Sequence, residues 1–241
     1  MSMIMKAETI KKVENKFSEA LKKAMKEVTA ETKVSISEGN SKMGSVPSFS
    51  VMPFITCGNA ECKAWCYAGR MANRLNNVMH AYAINTAMVI KYPTQTAIQI
   101  VDYIMSNNVR FFRFNVAGDF NLVNYMGIAW HVVRTCKNCQ FLSFTKAFDH
   151  FNEFLRIIQD IHNDTFDNIF PNWHVLYSGY TADNEKKPNN PYNFPETIVY
   201  INDYEYIKTW FQCGGLCEEC ACKGVGCWQL KKGDTLAFRM H

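Results

Sequence analysis

Ile10, Val13, Phe17, Ala20, Leu21, Ala24, Met25 and Val28 recur at helical spacing among Lys and Glu, so residues 7–28 read as an amphipathic helix. Acidic residues interrupt the Lys on its polar face, which marks a solvated surface. Helical patterns continue over residues 73–92 and 94–107, separated by Pro93. Beyond them the period changes. Runs rich in β-branched and aromatic residues at 109–116, 140–145, 174–178 and 197–202 predict strands, and amphipathic stretches at 122–134 and 150–162 predict helices between them. Strands alternating with helices imply right-handed crossovers and a mostly parallel sheet, open or curled into a partial barrel; the predicted fold class is α/β.

Residues 40–53, rich in Ser, Gly and Pro, predict an ordered loop, and residues 163–172 and 181–195 read as surface loops. The chain divides into an N-terminal helix and first strand (residues 1–39), an α/β core with a cysteine loop (40–205) and a Cys-rich metal-binding tail (206–241). At 241 residues it can bury a core without relying on metal throughout. The net charge of +4 permits an anionic ligand without pointing to nucleic acid. No apolar stretch approaches the ~20 residues that span a bilayer, so no membrane partner is expected.

Ten cysteines change the picture. The first twenty residues mix Lys and Glu with no apolar core, unlike a secretory signal, so the expected compartment is the reducing cytoplasm. Clustered thiols there bind metal more often than they pair. Cys57, Cys62 and Cys66 are separated by four and three residues, which suits three corners of an iron–sulfur cubane on one loop. Trp65, directly before the third thiol, is placed to shield it from water. Cys213, Cys217, Cys220, Cys222 and Cys227 have three, two, one and four residues between them, with glycines nearby that permit tight wrapping. Four of these would complete a second cluster or a tetrahedral zinc. Cys136 and Cys139 form a lone pair that reads as two core thiols, with half a metal site or a redox pair as alternatives.

Ligands of α/β sheets bind beyond the carboxyl ends of the strands. That rule selects Gly118 and Asp119 after the first strong strand, Ser143 and Lys146 at the second, Ser178 at the third, and Asn202 with Asp203 at the fourth. Helix capping explains such residues as well as ligand binding does.

Two resemblances follow. Asn40-Ser41-Lys42, Val46-Pro47-Ser48-Phe49-Ser50, the run from Cys62 to Tyr67, Gly118-Asp119, Phe144-Thr145-Lys146 and the tail from Cys227-Trp228 to His241 resemble the phage family called gene product 88, over residues 40–241. This implies a phage or mobile-element origin and a host-cell cytoplasmic location, with no reaction attached. The cysteine loop is also distantly similar to that of radical S-adenosylmethionine enzymes, although both gaps are longer by a residue and Ala117 stands where those enzymes have Gly. This similarity implies Cys57, Cys62 and Cys66 as ligands of a [4Fe–4S] cluster with an open iron for S-adenosylmethionine, and Trp65, Gly118, Asp119, Ser143 and Ser178 as cofactor-binding residues. Asp119 and Lys146 become the catalytic candidates, the tail holds an auxiliary cluster, and an electron donor is an expected partner. The alternatives are a non-catalytic metal-stabilised protein that binds host nucleic acid or protein, with Trp210 and Trp228 available to stack on bases, and an electron-transfer protein with fully Cys-ligated clusters.

Overall fold

A computed structural model describes residues 5–181, 188–200 and 211–239. The chain folds into two compact units that alternate along the sequence. The first comprises Met1–Ile36, Phe49–Val109 and Asn115–Cys136, and the second Ser37–Ser48, Arg110–Phe114 and Lys137–His241.

The first unit is helical: α1 (Ala7–Glu27), α2 (Tyr67–Arg74), α3 (Asn76–Lys91), α4 (Pro93–Ser106) and α5 (Val123–Thr135). The α1 stripe turns Val13, Phe17 and Ala24 into a core that includes Phe54, Ala83, Ala87 and Met88, as its period requires. The buried polar groups of α3 are occupied. Asn85 Nδ2 donates to Ser35 O (2.8 Å) and Ser50 O (2.9 Å), while Thr86 Oγ1 accepts from Met52 N–H (2.7 Å) and donates to Tyr82 O (2.7 Å). These bonds pin the extended segment that leads to the first cysteine loop.

The helix expected over residues 73–92 is α3, which begins three residues later because Leu75 is extended (φ −114°, ψ 104°); the preceding α2 has no counterpart in the sequence reading. No Gly or Pro marks the break. On the α2 side, Gly69 packs on the ring of Phe54, where a Cβ would lie 2.5 Å from a ring carbon.

The eight strands are β1 (Ile36–Ser37), β2 (Ser48–Phe49), β3 (Phe111–Phe114), β4 (Gln140–Thr145), β5 (Trp173–Thr181), β6 (Glu196–Tyr200), β7 (Phe211–Gln212) and β8 (Thr235–Arg239). They form one sheet in the order β1-β2-β3-β4-β5-β6-β8-β7, which is open and has no barrel closure. Pairing from β3 through β8 to β7 is parallel, with Phe112 opposite Phe141 and Ser143 opposite Val175. β4 is buried along most of its length, as a central parallel strand should be. Asn202, Asp203 and Trp210 lie outside the described residues.

In the second unit α6 (Phe148–His162) buries Phe151, Leu155 and Ile158. The loop expected at residues 163–172 contains a short helix, α7 (Phe166–Ile169). Packing accounts for it: Phe166 lies against Phe170 (5.1 Å between centroids), Phe194 (5.2 Å) and Trp173 (5.8 Å). The cysteine-rich segment contributes α8 (Cys217–Lys223), and the chain then re-enters the sheet as β8, between β6 and β7. Neither β7 nor β8 is foreshadowed by the sequence reading: β7 has only two residues, and β8 lies in the segment read as a cysteine-rich tail.

Candidate functional site

All ten cysteines are free thiols. The three of the first run leave a parallel pair of extended segments in the first unit, where Asn115 N–H donates to Phe49 O (3.2 Å) and Val51 N–H donates to Ala117 O (3.2 Å). The cysteine loop follows Val51 and Gly118-Asp119 follows Ala117, so both emerge at the same end of that pair. Thr56 ties them together. Its hydroxyl donates to Met52 O (2.9 Å) and accepts from Asp119 N–H (3.1 Å), and its carbonyl accepts from Asn121 Nδ2 (2.9 Å).

Gly118 stands at φ +77°, and a Cβ there would collide with Val51 Cγ2 and come within 2.6 Å of Thr56 Oγ1. Only glycine fits this combination of backbone and space. Asp119 is buried, and one carboxylate oxygen accepts from Phe120 N–H (2.7 Å).

Between Glu61 and Trp65 the loop makes a 3-10 turn, fastened to α1 by Lys63 Nζ on Glu14 Oε1 (2.7 Å). Cys66 then caps α2, its sulfur accepting from Gly69 N–H (3.3 Å) at the positive end of the helix. Trp65 is half-buried within the turn. Burial first, then the neighbouring Asp119 carboxylate, Cys66 and Cys62, push the Cys57 thiol far above the ordinary range. Burial, then Cys66 and Tyr67, push the Tyr82 phenol up to about 12. Cys57, Cys62, Cys66 and Asp119 therefore share one patch, with Tyr82 beside Cys66.

In the second unit the turn at residues 40–45 receives α8. Asn40 Oδ1 accepts from the N–H groups of Lys42 (2.9 Å) and Met43 (3.0 Å), Cys217 N–H donates to Lys42 O (3.0 Å), and Ser45 Oγ donates to Glu218 Oε1 (2.5 Å). Cys213 N–H donates to Ala237 O of β8 (3.1 Å). After α8, Val225 N–H returns to Cys220 O (2.9 Å), and Gly226 at φ +62° passes so close that a Cβ would sit 3.2 Å from Cys220 Sγ. That turn carries Cys227 back towards the helix. Burial pushes the Cys227 thiol up to about 12; Arg113 opposes the rise, while Cys213, Cys217 and Cys220 add to it. Burial, then Cys213, Cys217 and Glu219, likewise raise Cys220, with Lys223 opposing.

Arg113 Nη1 approaches Cys217 Sγ (3.7 Å) and Met43 Sδ (3.3 Å), and its guanidinium lies over the Phe144 ring (4.5 Å). Cys222 is exposed.

Other candidates are placed differently. Lys146 and Ser178 meet at the ends of β4 and β5, where the ammonium donates to Ser178 O (2.6 Å), Ser178 Oγ (2.8 Å) and Gly179 O (2.7 Å). Three acceptors occupy its three protons. Ser143 is buried within β4 and accepts from Trp173 Nε1 (2.9 Å). Asp119 belongs to the first unit and Lys146 to the second. Cys136 and Cys139 are buried, at 5 % and 1 % exposure. Thr56, Tyr82 and Asn121 carry no distinguishing spacing in the sequence, and the strand-end rule that reaches Arg113 gives it no role.

Residues 9–232 match the family described as Gene product 88. The chain belongs to that family. No curated protein and no solved structure matches it. The likeness of the cysteine loop to radical S-adenosylmethionine enzymes gains no support from these comparisons. Among the described residues of this Gene product 88 member, no group of three or more His, Cys, Asp or Glu side chains is already assembled to hold a metal ion, and no helix is long and apolar enough to cross a membrane. The donor chemistry nonetheless suits thiophilic metals: soft sulfur ligands, uncrosslinked, gathered in each unit beside a charged residue.

Proposed function

We propose that the protein is an iron–sulfur protein whose first centre is held by Cys57, Cys62 and Cys66, with Asp119 beside them. One observation supports this above the rest: the loop thiols and a buried carboxylate share a patch at the carboxyl end of a parallel pair. Deprotonated, these groups carry a surplus of negative charge that burial makes costly, and a cationic iron centre offsets it. Such a centre, when bound, supplies one-electron chemistry.

Asp119 has two roles open to it. As a ligand it would complete the iron and leave an electron-transfer centre. As a recognition group it would take the amino group of S-adenosylmethionine, which is the enzyme reading and the finer part of this proposal. Trp65 and Tyr82 would keep water from the thiols in either case. The free thiols suit a reducing compartment, and we place the protein in the cytoplasm of a host cell.

Anaerobic reconstitution of the full chain, with iron and sulfide counting and electron paramagnetic resonance, tests the proposal. The Cys57→Ala/Cys62→Ala/Cys66→Ala variant is expected to hold about four fewer irons than the parent. A spectrum shifted by S-adenosylmethionine supports the enzyme, and an unmoved spectrum supports ligation by Asp119. Zinc in place of iron at these thiols overturns the reading.

A further inference from the structure

The second thiol group stands on its own observations. The geometry points to Cys213, Cys217, Cys220 and Cys227 as the complete ligand set of one closed four-thiolate metal centre in the second unit, with Cys222 outside it and Arg113 as its counter-charge. This goes beyond the loop centre and does not rest on it.

Helical geometry makes the first selection. Cys217 and Cys220 are one turn apart on α8 and so share a face, whereas Cys222 is two residues beyond Cys220 and falls on the other side. Exposure agrees: Cys222 is exposed and the other four are not. The backbone then brings Cys213 and Cys227 towards that face, without a ready-assembled metal-holding group among the described residues. Cys213 is anchored to β8 through Ala237 O, and the turn through Gly226 brings Cys227 back beside Cys220. Cys227 lies within electrostatic reach of Cys213, Cys217 and Cys220, and Cys220 within reach of Cys213 and Cys217.

Arg113 supplies a second, independent observation. Its Nε is buried without a hydrogen-bond partner among the described residues, and its guanidinium meets two sulfur atoms and an aromatic face. No carboxylate pairs with it among the described residues. A cation so placed requires an anion. Four thiolates around a divalent metal or a cubane leave net negative charge, which the guanidinium would neutralise in part. Each thiol gives up its proton to solvent as a divalent metal or a preassembled cluster binds, so that binding step needs no oxidant or reductant. With every position taken by protein sulfur, the centre has no open site for substrate, and its role is structural or electron-carrying.

Metal and sulfide analysis of the full chain, purified and reconstituted without oxygen, tests this on single variants. Cys222→Ser is expected to keep the full metal content. Cys213→Ser, Cys217→Ser, Cys220→Ser and Cys227→Ser are each expected to lose one centre, as one zinc or as iron with sulfide, and the analysis reports which. Loss in Cys222→Ser equal to that in the other four overturns the ligand set.

The loop triple variant separates this proposal from the preceding one: the tail centre persists when Cys57, Cys62 and Cys66 are gone, and its disappearance there overturns it. Because single variants can misfold, alkylation mapped by mass spectrometry on the unmutated protein gives a second readout. Cys222 is expected to react at once and the other four only after a chelator. Equal reaction of all five before chelation overturns the closed site. Arg113→Gln, with all ligands kept, is expected to lose metal to a chelator about ten-fold more readily; unchanged retention removes Arg113 from the proposal.

Discussion

The two thiol groups differ most in the charge placed beside them. In the first unit Cys57 faces the carboxylate of Asp119, so the anion adds to the cost of ionising the thiol. In the second, Arg113 Nη1 lies 3.7 Å from Cys217 Sγ, and the guanidinium opposes the rise of the Cys227 thiol. The tail brings four sulfurs and its own cation. The loop brings three sulfurs and a further anion, and so calls for more positive charge from whatever binds there. If both groups bind metal as proposed, the loop would demand more positive charge of its guest than the tail, where Arg113 supplies part of it.

That contrast can be broken at the backbone first. Gly118→Ala adds a Cβ where Val51 and Thr56 already sit, at φ +77°, and is expected to cost about 2–4 kcal/mol. Urea unfolding measures it, and on the iron–sulfur proposal any iron lost would come from the loop thiols alone. A variant as stable as the parent would show that Gly118 does not hold the loop against the Asp119 turn. Thr56→Val removes the hydroxyl that links Met52 O to Asp119 N–H and is expected to cost about 1–2 kcal/mol in the same assay. The smallest effects sharpen the comparison through their signs. In metal-free protein at one pH, Asp119→Asn removes an anion that raises Cys57, so alkylation of Cys57 should quicken severalfold. Arg113→Gln removes a cation that restrains the rise of Cys227, so alkylation of Cys227 should slow. Shifts of the same sign in both variants would abolish the contrast.

The sequence discloses these regions unevenly. α1, α4, α5 and α6 appear within a residue or two of their patterned limits, because each carries an apolar stripe several turns long. β4 matches its limits too, since a central parallel strand is a bounded apolar run. β2 and β7 have two residues each and no period to detect. The break at Leu75 has no local signal, since no Gly or Pro stands there and the residue is simply extended. Within the sites, the cysteine spacing advertises the thiols and the strand-end rule finds Asp119. Thr56 joins the loop to the Asp119 turn through hydrogen bonds that span 63 and 65 positions, which no single-segment pattern contains. Cys222 could have been set apart earlier: the run from Glu218 to Lys223, closed by Gly224, is a short helix on which it faces away from Cys220.

The insertion of β8 between β6 and β7 also fixes an order of assembly. During translation Cys213, Cys217, Cys220 and Cys227 all leave the ribosome before Ala237, the residue whose carbonyl holds Cys213 in place. A nascent chain thus presents its tail thiols before their scaffold exists. If the proposed closed centre forms, metal taken up at that stage would be enclosed only once β8 pairs with β6 and β7.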